Sequence, residues 1–159
     1  INKERSIHLI NLIEKYAPGI FFYFEVRAEF IDRALSKAFT RIPCALQIGL
    51  QSSNLQVLKN VNRTFDEKKF KRNVGYLNED GVVFGFDLIY GLPGDNLEGF
   101  KKSVDFALSL YPNNLETFPL SVLAGTDLYE NASSFFLEFQ ENPPYHLIKS
   151  NTFSEEEMK

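Results

Sequence analysis

The sequence predicts an α/β fold of about four parallel strands alternating with helices, and three observations predict it. The first is the stretch Gly81–Asp95, GVVFGFDLIYGLPGD, a near-continuous apolar run too short for a core helix and bounded by glycine on both sides. Such a run reads as a strand buried on both faces, the kind that parallel sheets use. The second is that segments of helical period separate the strand-like segments, and crossovers of that length require parallel strands with right-handed connections. The third is the turn Gly91-Leu92-Pro93-Gly94-Asp95, which leads from strand to helix with Asp95 as the expected N-cap. A doubly wound sheet and a barrel segment both satisfy this pattern.

Composition sets the bounds. A chain of 159 residues with 44% hydrophobic and 24% charged residues suits one domain with a single core. A net charge of −4 gives no electrostatic case for nucleic-acid binding. No apolar run approaches a membrane span, and INKERS lacks a signal-peptide core, so no membrane partner is expected and cytoplasm is the expected compartment. Cys44 is the single cysteine, which rules out an internal disulfide and any multi-thiolate metal site built from this chain alone. Both ends look cut from a longer polypeptide.

Ile7 to Tyr16 has apolar residues at helical spacing, and Pro18-Gly19 stops it. Ile20 to Val26 is a strand, apolar at nearly every position apart from Glu25. Phe30 to Phe39 returns to helical period, and Ala45 to Leu50 is a short strand closing on Gln51-Ser52. Ser53-Asn54 caps a short helix that Asn62-Arg63-Thr64 breaks, and Phe65 to Asn78 is the next helix, with Asp66 and Glu67 in its first turn. After the Gly81–Asp95 element a helix runs from about Asn96 to Leu110, then a strand from Asn114 to Val122. Ala124-Gly125-Thr126 leads into a short helix near Tyr129. Tyr145 to Ser150 reads as an edge strand because Pro143-Pro144 precedes it. Residues 1–132 are thus expected to form the main α/β body and 133–159 a tail.

The polar residues at strand ends form a short set: Glu25, Gln51, Asp87 and Ser121, with Arg63 in the connection leaving the second strand. In a parallel sheet these would gather on the edge where α/β enzymes keep their chemistry. Two carboxylates, an amide and a guanidinium suit a ligand that carries an amine, a carboxylate and ribose-like hydroxyls. Asp87 is the strongest member, because a carboxylate inside so apolar a run is costly unless it is bound to something. Glu25 alone reads as a structural ion pair with Arg27 or Arg63, and Cys44 as a small buried hydrophobe. His8 and His146 have no acid or cysteine partner in sequence.

IGLQSSNLQVLKNVNR, GFDLIYGLPGDNLEGFKKSVDFAL and FPLSVLAGTDLY, in that order, resemble successive parts of the radical S-adenosylmethionine enzymes. The nearest branches are the coproporphyrinogen-oxidase-like and cobalamin-associated ones, and the likeness covers roughly Phe21 to Glu130. It implies a partial (β/α) TIM-type barrel, and a [4Fe-4S] cluster held by CxxxCxxC after the first strand. It also implies reductive cleavage of S-adenosylmethionine to a 5′-deoxyadenosyl radical that abstracts a substrate hydrogen. Carried over by position, Gln51 and Asp87 contact the ribose and Arg63 the methionyl carboxylate. Ile89 and the backbone near Val122 flank the adenine, and Glu25 lies near the methionyl amine. The resemblance assigns no catalytic side chain and no metal ligand to this chain, since CxxxCxxC is missing. The cluster would belong to the parent protein, and this chain alone is expected to be inactive. A small-molecule substrate is implied, and cobalamin is left open. A non-catalytic α/β binding module and a phosphate-binding TIM-barrel lyase are the alternatives, the latter wanting a strand-end lysine or histidine that is not present. An incomplete barrel would leave Phe21–Val26 at an open edge and favour self-association.

Overall fold

The computed structural model describes residues 2–159. A four-stranded parallel sheet has the order β1-β2-β3-β4, with β1 Phe22–Val26, β2 Cys44–Gln51, β3 Phe84–Tyr90 and β4 Asn114–Pro119. The helices are α1 Lys3–Tyr16, α2 Arg33–Phe39, α3 Leu55–Asn60, α4 Glu67–Asp80, α5 Leu97–Leu108 and α6 Asp127–Glu130. The expected α/β alternation is present, and β1 is an edge strand. The chain divides into two compact units.

The first unit takes in the chain up to Leu50, then Asp66–Asp87 and Ala107–Glu116. Its interior is aliphatic and aromatic: Ile10, Leu46, Ile48, Val74, Leu77, Phe84 and Phe86 are all at most 2% exposed. At roughly 25 cal/mol per Å² of apolar surface removed from water, residues of this size are the main source of its stability. β1 and β2 pair in parallel with Glu25 opposite Gln47. The strand expected from Ile20 begins at Phe22, whose N–H reaches the Pro43 carbonyl at 2.9 Å, while the Ile20 N–H turns back to Ala17. The helix expected from Phe30 begins at Arg33 instead. Asp32 accepts from the Leu35 N–H at 2.9 Å and fixes that start, leaving Ala28–Phe30 as a separate 3-10 turn. Asp66 is likewise a cap rather than a first-turn residue, accepting from the Lys69 N–H at 2.9 Å. Gly81, at φ 71°, ends α4 in the left-handed conformation that glycine adopts without a Cβ penalty.

The second unit comprises Gln51–Phe65, Leu88–Phe106 and Thr117–Lys159. Its buried cluster of Val57, Leu92, Leu120, Val122, Leu137 and Leu147 draws side chains from all three segments. The residues after Ser133 are therefore ordered by the same core. The strand expected from Tyr145 is β6, Leu147–Lys149, and it is not an edge of the main sheet. It pairs antiparallel with β5, Glu138–Phe139, in a separate two-stranded sheet. The strand expected to run to Val122 stops at Pro119. Beyond it the Leu120 N–H goes to the Tyr90 carbonyl, the Val122 N–H goes to Tyr145, and Ser121 forms an isolated bridge with His146. Asn54 and Thr126 cap α3 and α6 as the sequence implies. Asp95 does not cap α5. The Asn96 side chain accepts from the Gly99 N–H at 2.9 Å, and Asp95 sits one residue earlier, 2% exposed.

Candidate functional site

In the first unit, alternation along the strands puts Tyr23 and Glu25 of β1, Gln47 of β2, and Gly85 and Asp87 of β3 out of the aliphatic interior. Asp87 is half-buried and accepts a 2.6 Å hydrogen bond from Gln47 Nε2 through Oδ1. Burial pushes its carboxyl pKa up, the Gln47 bond opposes that, and Glu116 and Glu25 raise it further by repulsion. The Gln47 amide lies close over Gly85, where a Cβ would come within 2.7 Å of Gln47 Oε1. Glu25 is exposed. Of the two partners expected for Glu25, Arg27 or Arg63, Arg27 pairs with Glu29 instead.

In the second unit, Gln51 ends β2 with φ 68°, a left-handed backbone that a non-glycine residue adopts at a cost of about 1–3 kcal/mol. Its Oε1 is buried and, among the described residues, has no hydrogen-bond partner. Buried polar atoms are satisfied in the great majority of cases, and an orphan of this kind calls for a donor from outside the chain. The turn that holds it is pinned by hydroxyls. Ser52 and Ser103 Oγ atoms are 3.3 Å apart, and the Ser53 N–H donates to Ser103 Oγ at 3.0 Å. Ser52 Oγ also accepts from the Asn54 N–H at 3.1 Å. Arg63 follows α3, its N–H bound to the Leu58 carbonyl after Asn62 turns through φ 55°. Ile89 is half-buried against the apolar cluster that contains Val57, Leu92 and Val122. Val122 is fully buried and its N–H is committed to Tyr145, so packing is what it offers.

The set read from sequence thus falls into Glu25 with Asp87 in one unit, and Gln51, Arg63, Ile89 and Val122 in the other. Gln47 and Glu116 were missed. Gln47 carried a signal, since it interrupts an apolar run four residues before Gln51 and shares its strand face. Glu116 carried none beyond its position in a strand.

The Asp87 carboxylate of the first unit and the orphaned, buried Gln51 amide oxygen of the second are each acceptors suited to a ligand hydroxyl. Neither is a ligand for an iron–sulfur cluster. Cys44 is buried at the start of β2, its thiol directed at the Phe39 carbonyl and its pKa pushed up by burial. No group of three or more metal-ligating side chains occurs among the described residues. Among these residues, too, no helix is long and apolar enough to cross a membrane.

No protein-family model matches the chain. It is 32% identical over 91 residues to the oxygen-independent coproporphyrinogen III oxidase of Helicobacter pylori, a match covering 57% of this chain and 19% of the relative. It therefore spans about a fifth of the length of such relatives. Among solved structures it resembles the coproporphyrinogen III oxidase (HemN) of Escherichia coli, described as a radical SAM enzyme. That match has a TM-score of 0.67 and 26% identity, covering 77% of this chain and 30% of that one. The radical S-adenosylmethionine methyltransferase TsrM of Kitasatospora setae, solved with cobalamin and a [4Fe-4S] cluster, superposes at TM-score 0.69. That overlap covers 90% of this chain and 30% of TsrM, and at 14% identity it is a likeness of fold. The chain is similar to coproporphyrinogen-oxidase-like radical SAM enzymes, and its parallel α/β fold is theirs.

Proposed function

We propose that this chain carries the S-adenosylmethionine-binding residues of a radical S-adenosylmethionine oxidoreductase of the coproporphyrinogen-oxidase-like kind. The observation that carries the reading is Gln51, a buried amide oxygen without a partner on a strained backbone, in the GLQSS stretch that matches the family's ribose-contacting glutamine. Asp87 accepts the second ribose contact, Arg63 pairs with the methionyl carboxylate, and Glu25 with the methionyl amine. Ile89 supplies apolar surface to the adenine, and the backbone near Val122 lies on its other side. When bound beside a [4Fe-4S] cluster held elsewhere in the parent protein, S-adenosylmethionine supplies a 5′-deoxyadenosyl radical. The residues of this chain bind and orient; none of them moves an electron. The substrate is a small molecule, and cobalamin is a further cofactor in the branch of the family that uses it.

Isothermal titration of the full protein with S-adenosylhomocysteine tests this. Saturable binding is expected, weakened roughly tenfold by Gln51→Ala, the scale of one lost hydrogen bond. Absence of binding, or identical affinity in the variant, contradicts the reading.

The same reading extends to association. β1 is an edge strand, and Phe21 and Tyr23 are 55% and 78% exposed on or beside it. A polypeptide of these 159 residues is expected to sediment as a dimer or larger at micromolar concentration. A clean monomer contradicts this.

A further inference from the structure

Asp87 is useful to a ligand hydroxyl only as an ionised, correctly turned carboxylate, and its surroundings work against both conditions. Its strand neighbours are apolar: Phe86 and Leu88 are fully buried. The charged groups that face it, Glu25 on β1 and Glu116 on β4, are both acids, and both favour its protonated form. The donor that opposes them is the Gln47 side chain, at 2.6 Å.

From this geometry we infer that Gln47 is a positioning residue, which fixes the Asp87 carboxylate by holding Oδ1 and leaves Oδ2 for the ligand. The inference rests on the proposed S-adenosylmethionine site and adds to it a residue that the family motif does not supply. Three features of the strand face support it. Gln47 lies opposite Glu25 in the β1–β2 register and bonds across to Asp87 on β3. Its amide has only one workable orientation, because a carboxylate can only accept, so Nε2 must face Asp87 and Oε1 must face away. The space that Oε1 occupies exists because residue 85 is glycine. A Cβ there would lie 2.7 Å from Oε1 and 3.0 Å from the Asn114 carbonyl oxygen. Gly85 has no left-handed backbone to account for it, and room for the Gln47 amide does account for it.

The consequence is a pH-dependent one. With Gln47 in place, ionisation of Asp87 is favoured by a hydrogen bond to a charged group, the stronger class of hydrogen bond. Without it, burial, Glu116 and Glu25 act unopposed. The carboxyl then holds its proton to higher pH and loses acceptor capacity where the ligand needs it.

The test uses Gln47→Met, close in shape but without a donor, in the full protein. Two readouts are taken: the carbon-13 carboxyl titration of Asp87 without ligand, and S-adenosylhomocysteine affinity across pH. The variant is expected to titrate Asp87 at higher pH than wild type and to bind roughly tenfold more weakly at neutral pH. The affinity loss should shrink as pH rises. Gly85→Ala, which displaces the amide without removing it, is expected to move both readouts in the same direction. An Asp87 titration unchanged by Gln47→Met overturns the inference, whatever the affinity. A raised titration in a protein that never binds S-adenosylhomocysteine leaves the Gln47–Asp87 pair standing and removes the proposed function instead.

Discussion

Asp87 and Asp95 are eight residues apart, both taken out of water, and both hold their protons more tightly than an exposed aspartate because of burial. They differ in what surrounds them. Asp95 is the more deeply buried, at 2% exposure, and is consumed by its own turn. It accepts from the Asn96 N–H at 2.9 Å and lies against the backbone of Gly99 in the first turn of α5. Asp87 is held by a side chain from the neighbouring strand and faces two further carboxylates. With Asp87 as the proposed ligand-binding acid, depth of burial does not separate it from a structural one. What separates them is whether the local backbone uses the carboxylate up.

The largest effect that would break this contrast is steric. Gly→Ala inside a helix ordinarily stabilises by about 1 kcal/mol. At Gly99 the added Cβ would lie 2.1 Å from Asp95 Oδ1, a buried atom tied to the Asn96 N–H. Gly99→Ala is expected to destabilise by about 3 kcal/mol in urea melts, on the scale of overpacking, and a gain in stability would contradict the placement of Asp95. Next comes Asp87→Ala, which should cost about 2 kcal/mol of S-adenosylmethionine binding while leaving stability nearly unchanged. The reverse split, with stability lost and binding kept, would make Asp87 the structural acid.

A smaller effect concerns pH. An acid whose folded pKa is raised above its ordinary value of 3.8 binds its proton better folded than unfolded. Its ionisation then costs stability as pH rises from 3.8 through the folded value, and the cost is fully present above it. Asp95→Asn keeps an acceptor for the Asn96 N–H and removes the buried charge. It should therefore raise stability at pH 7 by on the order of 1 kcal/mol, with the gain vanishing below pH 3.8. Melting curves across pH read this directly. Smallest of all, Lys69→Ala on the exposed face of α4 should change neither stability nor binding by more than about 0.5 kcal/mol.

The contrast also marks where the sequence was legible. The β3 run announces Asp87, because six apolar residues around one carboxylate leave few other readings. The order of strands and helices follows from periodicity and turn glycines, and the caps at Asn54 and Thr126 follow from residue type. Asp95 was misassigned as a cap because Asp and Asn cap equally well. The choice between Asp95 and Asn96 depends on which side chain can reach the Gly99 N–H. The end of β4 was placed too late for a similar reason. Leu120, Ser121 and Val122 look strand-like, but their partners are Tyr90, His146 and Tyr145, contacts that no local pattern encodes. Gln47 and Glu116 became visible only once the strands were placed side by side.

The central claim is that Asp87 serves a ligand and Asp95 serves the fold. The carbon-13 carboxyl resonances of both, followed in the full protein while S-adenosylhomocysteine is added, test it most directly. The account predicts that the Asp87 signal moves with saturation and the Asp95 signal stays. Movement of Asp95 alone, or of neither while the ligand demonstrably binds, would contradict it.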